Sequence, residues 1–266
     1  MLVLIRGAGD LASGIALRLW RCGADVVMTD LPAPTAIRRT VAFSEALRLG
    51  ETVVEGITAK KALDILEAHA LLTRKIIPVL ADPLCTCRLD LHPDVLVDAI
   101  LAKCNLGTKI THAPIVIGVG PGFTAGEDCH AVVETMRGHT LGRVYYTGSA
   151  LPNTNVPGLI GGFAGERVLR APCDGIFFPV KEIGDRVQEG DVVAYVEGEP
   201  LKATIGGIIR GLLPKDVPVR KGMKSGDIDP RYCVENCYTV SDKSLAIGGG
   251  VLEAVFYLKA QKQGLR

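Results

Sequence analysis

Short apolar, β-branched runs alternate along the first 150 residues with longer segments whose apolar positions recur at helical spacing. LVLI (2–5), ADVVMTD (24–30), IIPVLAD (76–82), DVLVDA (94–99) and APIVIGVG (113–120) read as strands, with RVYYTG (143–148) closing the set. Between the first two, LASGIALRLWRCG puts Leu11, Ile15, Leu19 and Trp20 on one helical stripe that stops at Gly23. Alternation of this kind predicts βαβ units, hence a Rossmann-like doubly wound parallel sheet. A further helix is expected from Glu127 to Met136.

The pattern changes after SALPNTNVPGLIGGFAGE (149–166), whose glycines and prolines suit a boundary. Beyond it the period is that of strands, and residues 170–196 align without gaps on 202–228. The offset superimposes Ala171 on Ala203, Gly175 on Gly207, Ile176 on Ile208, Val187 on Val219 and Gly190 on Gly222. Neither half buries its apolar face alone, so each should cover the other. The expected layout is a nucleotide-binding domain over 1–160, an all-β domain over 167–232 and a segment over 233–266. In the last, Leu252, Val255, Phe256 and Leu258 mark a helix packed back on the body.

The repeat, with APCDGIF and GDRVQEGDVVAYV, resembles the biotinyl/lipoyl type of barrel-sandwich hybrid. The resemblance implies a hairpin that presents a modifiable lysine. Here the hairpin is EGEPL (197–201), and Lys202 aligns with Arg170 as a strand residue, so neither biotin nor lipoate is expected.

Composition narrows the partners. In 266 residues, 48% apolar and 22% charged with a net charge of +1, there is no global attraction for nucleic acid or an anionic membrane surface. The apolar runs fall short of a bilayer span, and the eight cysteines are scattered in a chain large enough to build a core. A cytoplasmic protein with a small ligand or a protein partner, and a homo-oligomer as one option, fits these values.

Candidate chemistry starts at the first strand's end. GAGDLA matches G-x-G-x-x-A, so Gly7, Ala8, Gly9, Asp10, Leu11 and Ala12 form a candidate phosphate turn at a helix N-terminus. Asp30, closing the second strand, could accept ribose hydroxyls, which favours NAD or a related adenine nucleotide. The alternative is a plain strand-to-helix corner. A second turn, Gly118, Gly120 and Gly122, comes after another strand and is either a ligand loop or a packing loop. Asp82, Asp98, Arg137 and His139, with Lys103 and Asn105, are acid–base or anion-binding candidates on the same rim, or solvated charges and caps. No hydrolase or zincin signature accompanies them, so no reaction is read. Cys85 and Cys87 invite a metal reading, but an i, i+2 pair in a strand points its thiols to opposite faces, so no metal is expected unless a loop conformation, soft-metal or redox chemistry rescues the pair.

GAGDLASG, VDAILAKCNLGTKITHAPIVIGVGPGFTAGEDCHAVVETMRGHTLGRV, RVLRAPCDGIF and SDKSLAIGGGVLEA resemble the selenium-dependent molybdenum hydroxylase system protein family. Its motifs fall on Gly7, Gly9, Gly118, Gly120, Gly122, Glu134, Arg137, Gly138 and His139. The resemblance implies an accessory or maturation factor whose partner is a molybdenum hydroxylase apo-enzyme or its cofactor machinery. The competing expectations are an NAD-dependent oxidoreductase and a non-catalytic scaffold.

Overall fold

A computed structural model describes residues 1–154 and 158–265; residues 155–157 of the boundary stretch lie outside the described residues. The chain divides into two compact units, Met1–Pro34 with Ala42–Thr154 and Val240–Arg266, and Thr35–Val41 with Asn155–Thr239.

The five leading apolar runs become β1 (Leu2–Arg6), β2 (Asp25–Thr29), β5 (Ile77–Leu80), β6 (Val95–Asp98) and β7 (Ile115–Val119). Between them lie α1 (Asp10–Arg21), α2 (Glu45–Leu49), β3 (Glu51–Val54), β4 (Ile57–Ala62), α3 (Ile65–Thr73) and α4 (Arg88–Leu91). The first unit ends with β8 (Thr124–Ala125), β9 (Ala131–Val133), β10 (Val144–Tyr145), β11 (Gly148–Ser149) and, after the second unit, the helix α5 (Asp242–Lys262).

The doubly wound parallel sheet is corrected by this topology. Nine strands in the order β10-β9-β7-β6-β1-β2-β5-β4-β3 form a mixed sheet, antiparallel at both edges where β3 pairs with β4 and β10 with β9. A doubly wound sheet places a helix in each crossover. Here β5 reaches β6 through the four-residue α4, and β6 reaches β7 through a single 3-10 turn at Ile110–His112. The expected helix over 127–136 is also absent among the described residues: Ala131, Val132 and Val133 extend between β7 and β10 instead. Residues 35–41 belong to the second unit, and 240–266 to the first.

Central strands are buried on both faces, which explains their unbroken apolar runs. Leu4, Val27, Leu96, Val116 and Val132 share a core with Ala68 and Leu71 of α3. Alternate positions, Val3, Ile5, Val26, Met28, Val95, Val97, Ile115 and Ile117, face the other side and are also buried. There α1 packs on β1 and β2, and α5 on β7 and β9. The two helices approach through glycine: a Cβ on Gly14 would lie 2.5 Å from Ser244 Cβ, and one on Gly248 would lie 2.8 Å from Gly14 O. The buried stripe of α5 is Ile247, Val251, Ala254, Val255 and Leu258, while Phe256, expected on it, is 56% exposed.

In the second unit the repeat matches strand for strand. β12 (Val168–Arg170), β13 (Gly175–Pro179), β14 (Arg186–Val187) and β15 (Val192–Val196) correspond to β16 (Glu199–Lys202), β17 (Gly207–Leu212), β18 (Val217–Val219) and β19 (Lys224–Asp229). The halves do not form one sheet each. The sheets are β12-β19-β17-β14 and β16-β15-β13-β18, so each takes two strands from each half. Phe177, Val193, Val196, Ile209, Leu212 and Ile228 fill the space between them. The β15–β16 turn is Glu197–Gly198, both at positive φ, and Lys202 ends β16.

Candidate functional site

Parallel strands β1, β2, β4, β5, β6 and β7 end on one rim, where open α/β sheets place ligands. Gly7 turns the chain at φ +105°, and its amide donates to Thr29 O at 2.7 Å. A Cβ there would lie 2.8 Å from Ala99 O, so close approach to the end of β6 requires glycine. The Ala8 amide then donates to Asp30 Oδ2 at 2.7 Å, and Leu31 N–H donates to Asp30 Oδ1 at 2.7 Å. Burial raises the Asp30 carboxyl above its ordinary range, against the lowering by the Leu31 and Ala8 amides. Asp30 thus first serves to hold the turn, a role its position after β2 did not announce.

Gly9 is the N-cap of α1, and no described side chain caps that end. The contrast with the other long helices is direct: Asp64 caps α3 by accepting from Glu67 N–H, and Ser241 caps α5 by accepting from Ser244 N–H. A Cβ on Gly9 meets no described atom within 4 Å. Gly9, Asp10 and Leu11 are partly exposed, while Ala8 and Ala12 are buried. Two residues bonded to the turn through their backbone, Thr29 and Ser44, carry buried hydroxyls without a hydrogen-bond partner among the described residues. Ser44 is tied there by its amide, which donates to Ala8 O at 2.9 Å.

The second glycine turn is filled by protein. A Cβ on Gly118 would meet Phe123 Cγ at 2.5 Å, one on Gly120 the Thr135 hydroxyl at 2.9 Å, and one on Gly122 the Cys104 Cα at 2.5 Å. These glycines make room for neighbouring side chains and backbone. Glu134 nearby is fully buried, and its carboxylate accepts from the amides of Thr135, Met136 and Leu151.

The remaining candidates separate. Asp98 is fully buried and paired with Arg6 at 3.1 Å, with the Thr108 hydroxyl donating to the same oxygen at 2.5 Å and Ile100 N–H donating to the other. Arg6 Nη1 also reaches Leu106 O, and its Nε reaches Pro83 O, so the pair ties three rim segments together. Arg137 makes a two-pronged ion pair with Asp242 in the first turn of α5, at 2.6 and 2.8 Å. His139 is exposed two residues further on. Asp82 instead organises the turn after β5, accepting from the Thr86 hydroxyl and the Cys87 amide. Lys61, Leu63, Asp82, Thr86, Cys87 and Asp90 line a cavity of about 390 Å³ beside that turn. Cys85 and Cys87, expected on opposite faces, occupy one buried core because Cys85 adopts φ +55° and breaks the extended path.

The fold and rim define a two-unit α/β protein with one open and one filled glycine turn. No family model matches the chain. It is 53% identical over 260 residues to the "Uncharacterized protein YqeB" of Escherichia coli (strain K12), an alignment covering 98% of this chain and 48% of that protein. The chain therefore spans about half the length of the curated relative it matches. Among solved structures, an aspartoacylase family protein from Mesorhizobium loti is 11% identical, with a TM-score of 0.28 over 85% of this chain and 84% of that one. The ectoine utilization protein EutE (DoeB) from Ruegeria pomeroyi is 13% identical, with a TM-score of 0.25 over 80% and 61%. These scores are too low to carry function across. Nothing in the comparisons points to a selenium-dependent molybdenum hydroxylase system, so that resemblance and the accessory role it implied are corrected. The NAD-dependent oxidoreductase and scaffold alternatives likewise gain no relative. No helix among the described residues is long and apolar enough to cross a membrane.

Proposed function

We propose that the first unit binds a small phosphate-bearing molecule, an adenine nucleotide being the first candidate, at the open glycine turn on the carboxyl rim of its sheet. The observation that carries this reading is the uncapped N-terminus of α1, in a protein that caps α3 and α5 with its own side chains. A helix N-terminus concentrates amide donors and partial positive charge, which suits a phosphate. Asp30, already oriented by two amides, retains acceptor capacity for a polyol such as ribose. A cytoplasmic setting belongs to this reading, supported by eight free thiols.

Titration calorimetry of the full chain with ADP tests the proposal, with AMP, adenosine and inorganic phosphate as comparators. Saturable heat with ADP, lost in Gly9→Val and weakened in Asp30→Ala, is expected. An absence of binding up to millimolar ADP and phosphate by the folded protein would remove the reading.

A further inference from the structure

We propose that Cys85 and Cys87 form a reversible dithiol–disulfide couple, oxidised by low-molecular-weight disulfides that enter through the cavity lined by Cys87. Three features of the turn after β5 meet in this site. Cys85 in the left-handed region reverses the chain between the two residues, and Arg88 Nη1 and N–H both donate to Cys85 O, at 2.9 and 3.4 Å, fixing that peptide. Asp82 accepts from the Cys87 amide at 2.8 Å and from the Thr86 hydroxyl at 3.1 Å, which fixes the backbone at the second cysteine. Both cysteines then lie in one shared core, Cys85 2% and Cys87 7% exposed.

Access comes from one side. The cavity of about 390 Å³, within the usual size of small-molecule sites, is lined by Cys87 together with Lys61, Asp82 and Asp90. The neighbouring Cys85 thiol, burial and the nearby Asp82 charge all push the Cys87 thiol above its ordinary range. Exchange through Cys87 should therefore be slow at neutral pH and accelerate in alkali.

The chemistry balances with glutathione disulfide as oxidant. A thiolate of the pair attacks one sulfur of glutathione disulfide, forming a mixed disulfide and expelling one glutathione thiolate. The second cysteine, deprotonated by solvent base, attacks the protein sulfur of that mixed disulfide and expels the second glutathione. Two electrons pass from the dithiol to the oxidant, and the two thiol protons end on the two released glutathiones. In the protein, the two sulfurs close to a bond of about 2.05 Å.

Tryptic cleavage after Lys75 and Arg88 isolates both cysteines on one peptide, 76–88. The folded full chain is equilibrated in glutathione buffers from reducing to oxidising, quenched with acid, alkylated under denaturing conditions, digested and weighed. The expected product in oxidising buffer is peptide 76–88 two hydrogens lighter and unalkylated, returning to doubly alkylated on dithiothreitol. Cys85→Ser should instead retain a glutathione adduct on Cys87, because the resolving thiol is gone. Peptide 76–88 remaining doubly alkylated while the exposed Cys22 and Cys104 acquire glutathione would overturn the proposal. So would a stable glutathione adduct on the wild-type pair.

Discussion

Two glycine turns leave the same rim of one sheet, Gly7–Gly9 after β1 and Gly118–Gly122 at the end of β7, and they are put to different uses. In the first, Gly7 is forced by backbone contact with Ala99, yet Gly9 two residues later faces open space at an uncapped helix end. In the second, all three glycines are met by Phe123, Thr135 or Cys104. Glycine spacing alone therefore does not mark a ligand turn. The element next in the chain makes the difference: α1 presents its amide-rich end after Gly9, whereas Gly122 leads into Phe123, which packs back on Gly118.

Substitutions can break or sharpen this contrast. The largest effect is expected where the rim is tied down. Asp98→Ala leaves buried Arg6 without its carboxylate and should cost about 3–5 kcal/mol of unfolding free energy in urea titration, since an uncompensated charge remains inside. A cost near zero would mean that the pair does not hold the rim. Gly122→Ala comes next, at about 2–4 kcal/mol, because φ +105° and the contact with Cys104 backbone both oppose a side chain. If Gly122→Ala were neutral in stability yet abolished nucleotide binding, the filled turn would have been misassigned.

A smaller effect should appear in pH dependence. With its folded value raised by burial, Asp30 holds a proton more readily in the native than in the unfolded chain. Its contribution therefore favours the fold as pH falls toward its ordinary value of 3.8, and is lost as pH rises through the raised one. Urea titrations of wild type and Asp30→Asn should diverge across that window by at most about 1.4 kcal/mol per pH unit, the variant gaining as pH rises. A difference that stays constant with pH would contradict the burial of this carboxyl. Smallest of all, Gly9→Ser supplies the cap that α1 lacks. It should raise stability by a few tenths of a kcal/mol while weakening ADP binding, an opposition that a merely structural corner would not show.

Much of the fold was legible where local pattern and burial agree. The apolar runs of β1, β2, β5, β6 and β7 are long because both faces are covered, and the repeat anticipated four strands in each half of the second unit, although β16 (Glu199–Lys202) occupies most of the stretch read as the hairpin 197–201. Three features escaped for physical reasons. HAVVETM satisfies helix and strand periods alike over so few residues, and pairing with β7 and β10 settled it as strand. The β3–β4 hairpin did carry a signal, Glu55–Gly56 at positive φ between β-branched runs. The strand exchange between halves of the second unit leaves no local trace, because either arrangement buries the same alternate residues. At the rim, the glycine turn and Asp30 were visible, but the Asp30–Ala8 bond and the packing of Phe123 on Gly118 depend on atoms placed by the folded backbone.

Amide shifts recorded by NMR during an ADP titration test the central claim most directly, because they report both turns in one experiment. Shifts at Gly9, Asp10, Leu11 and Ala12, with Gly118, Gly120 and Gly122 unmoved, are predicted. Saturable shifts confined to Gly118–Gly122, or none at either turn, would contradict the account.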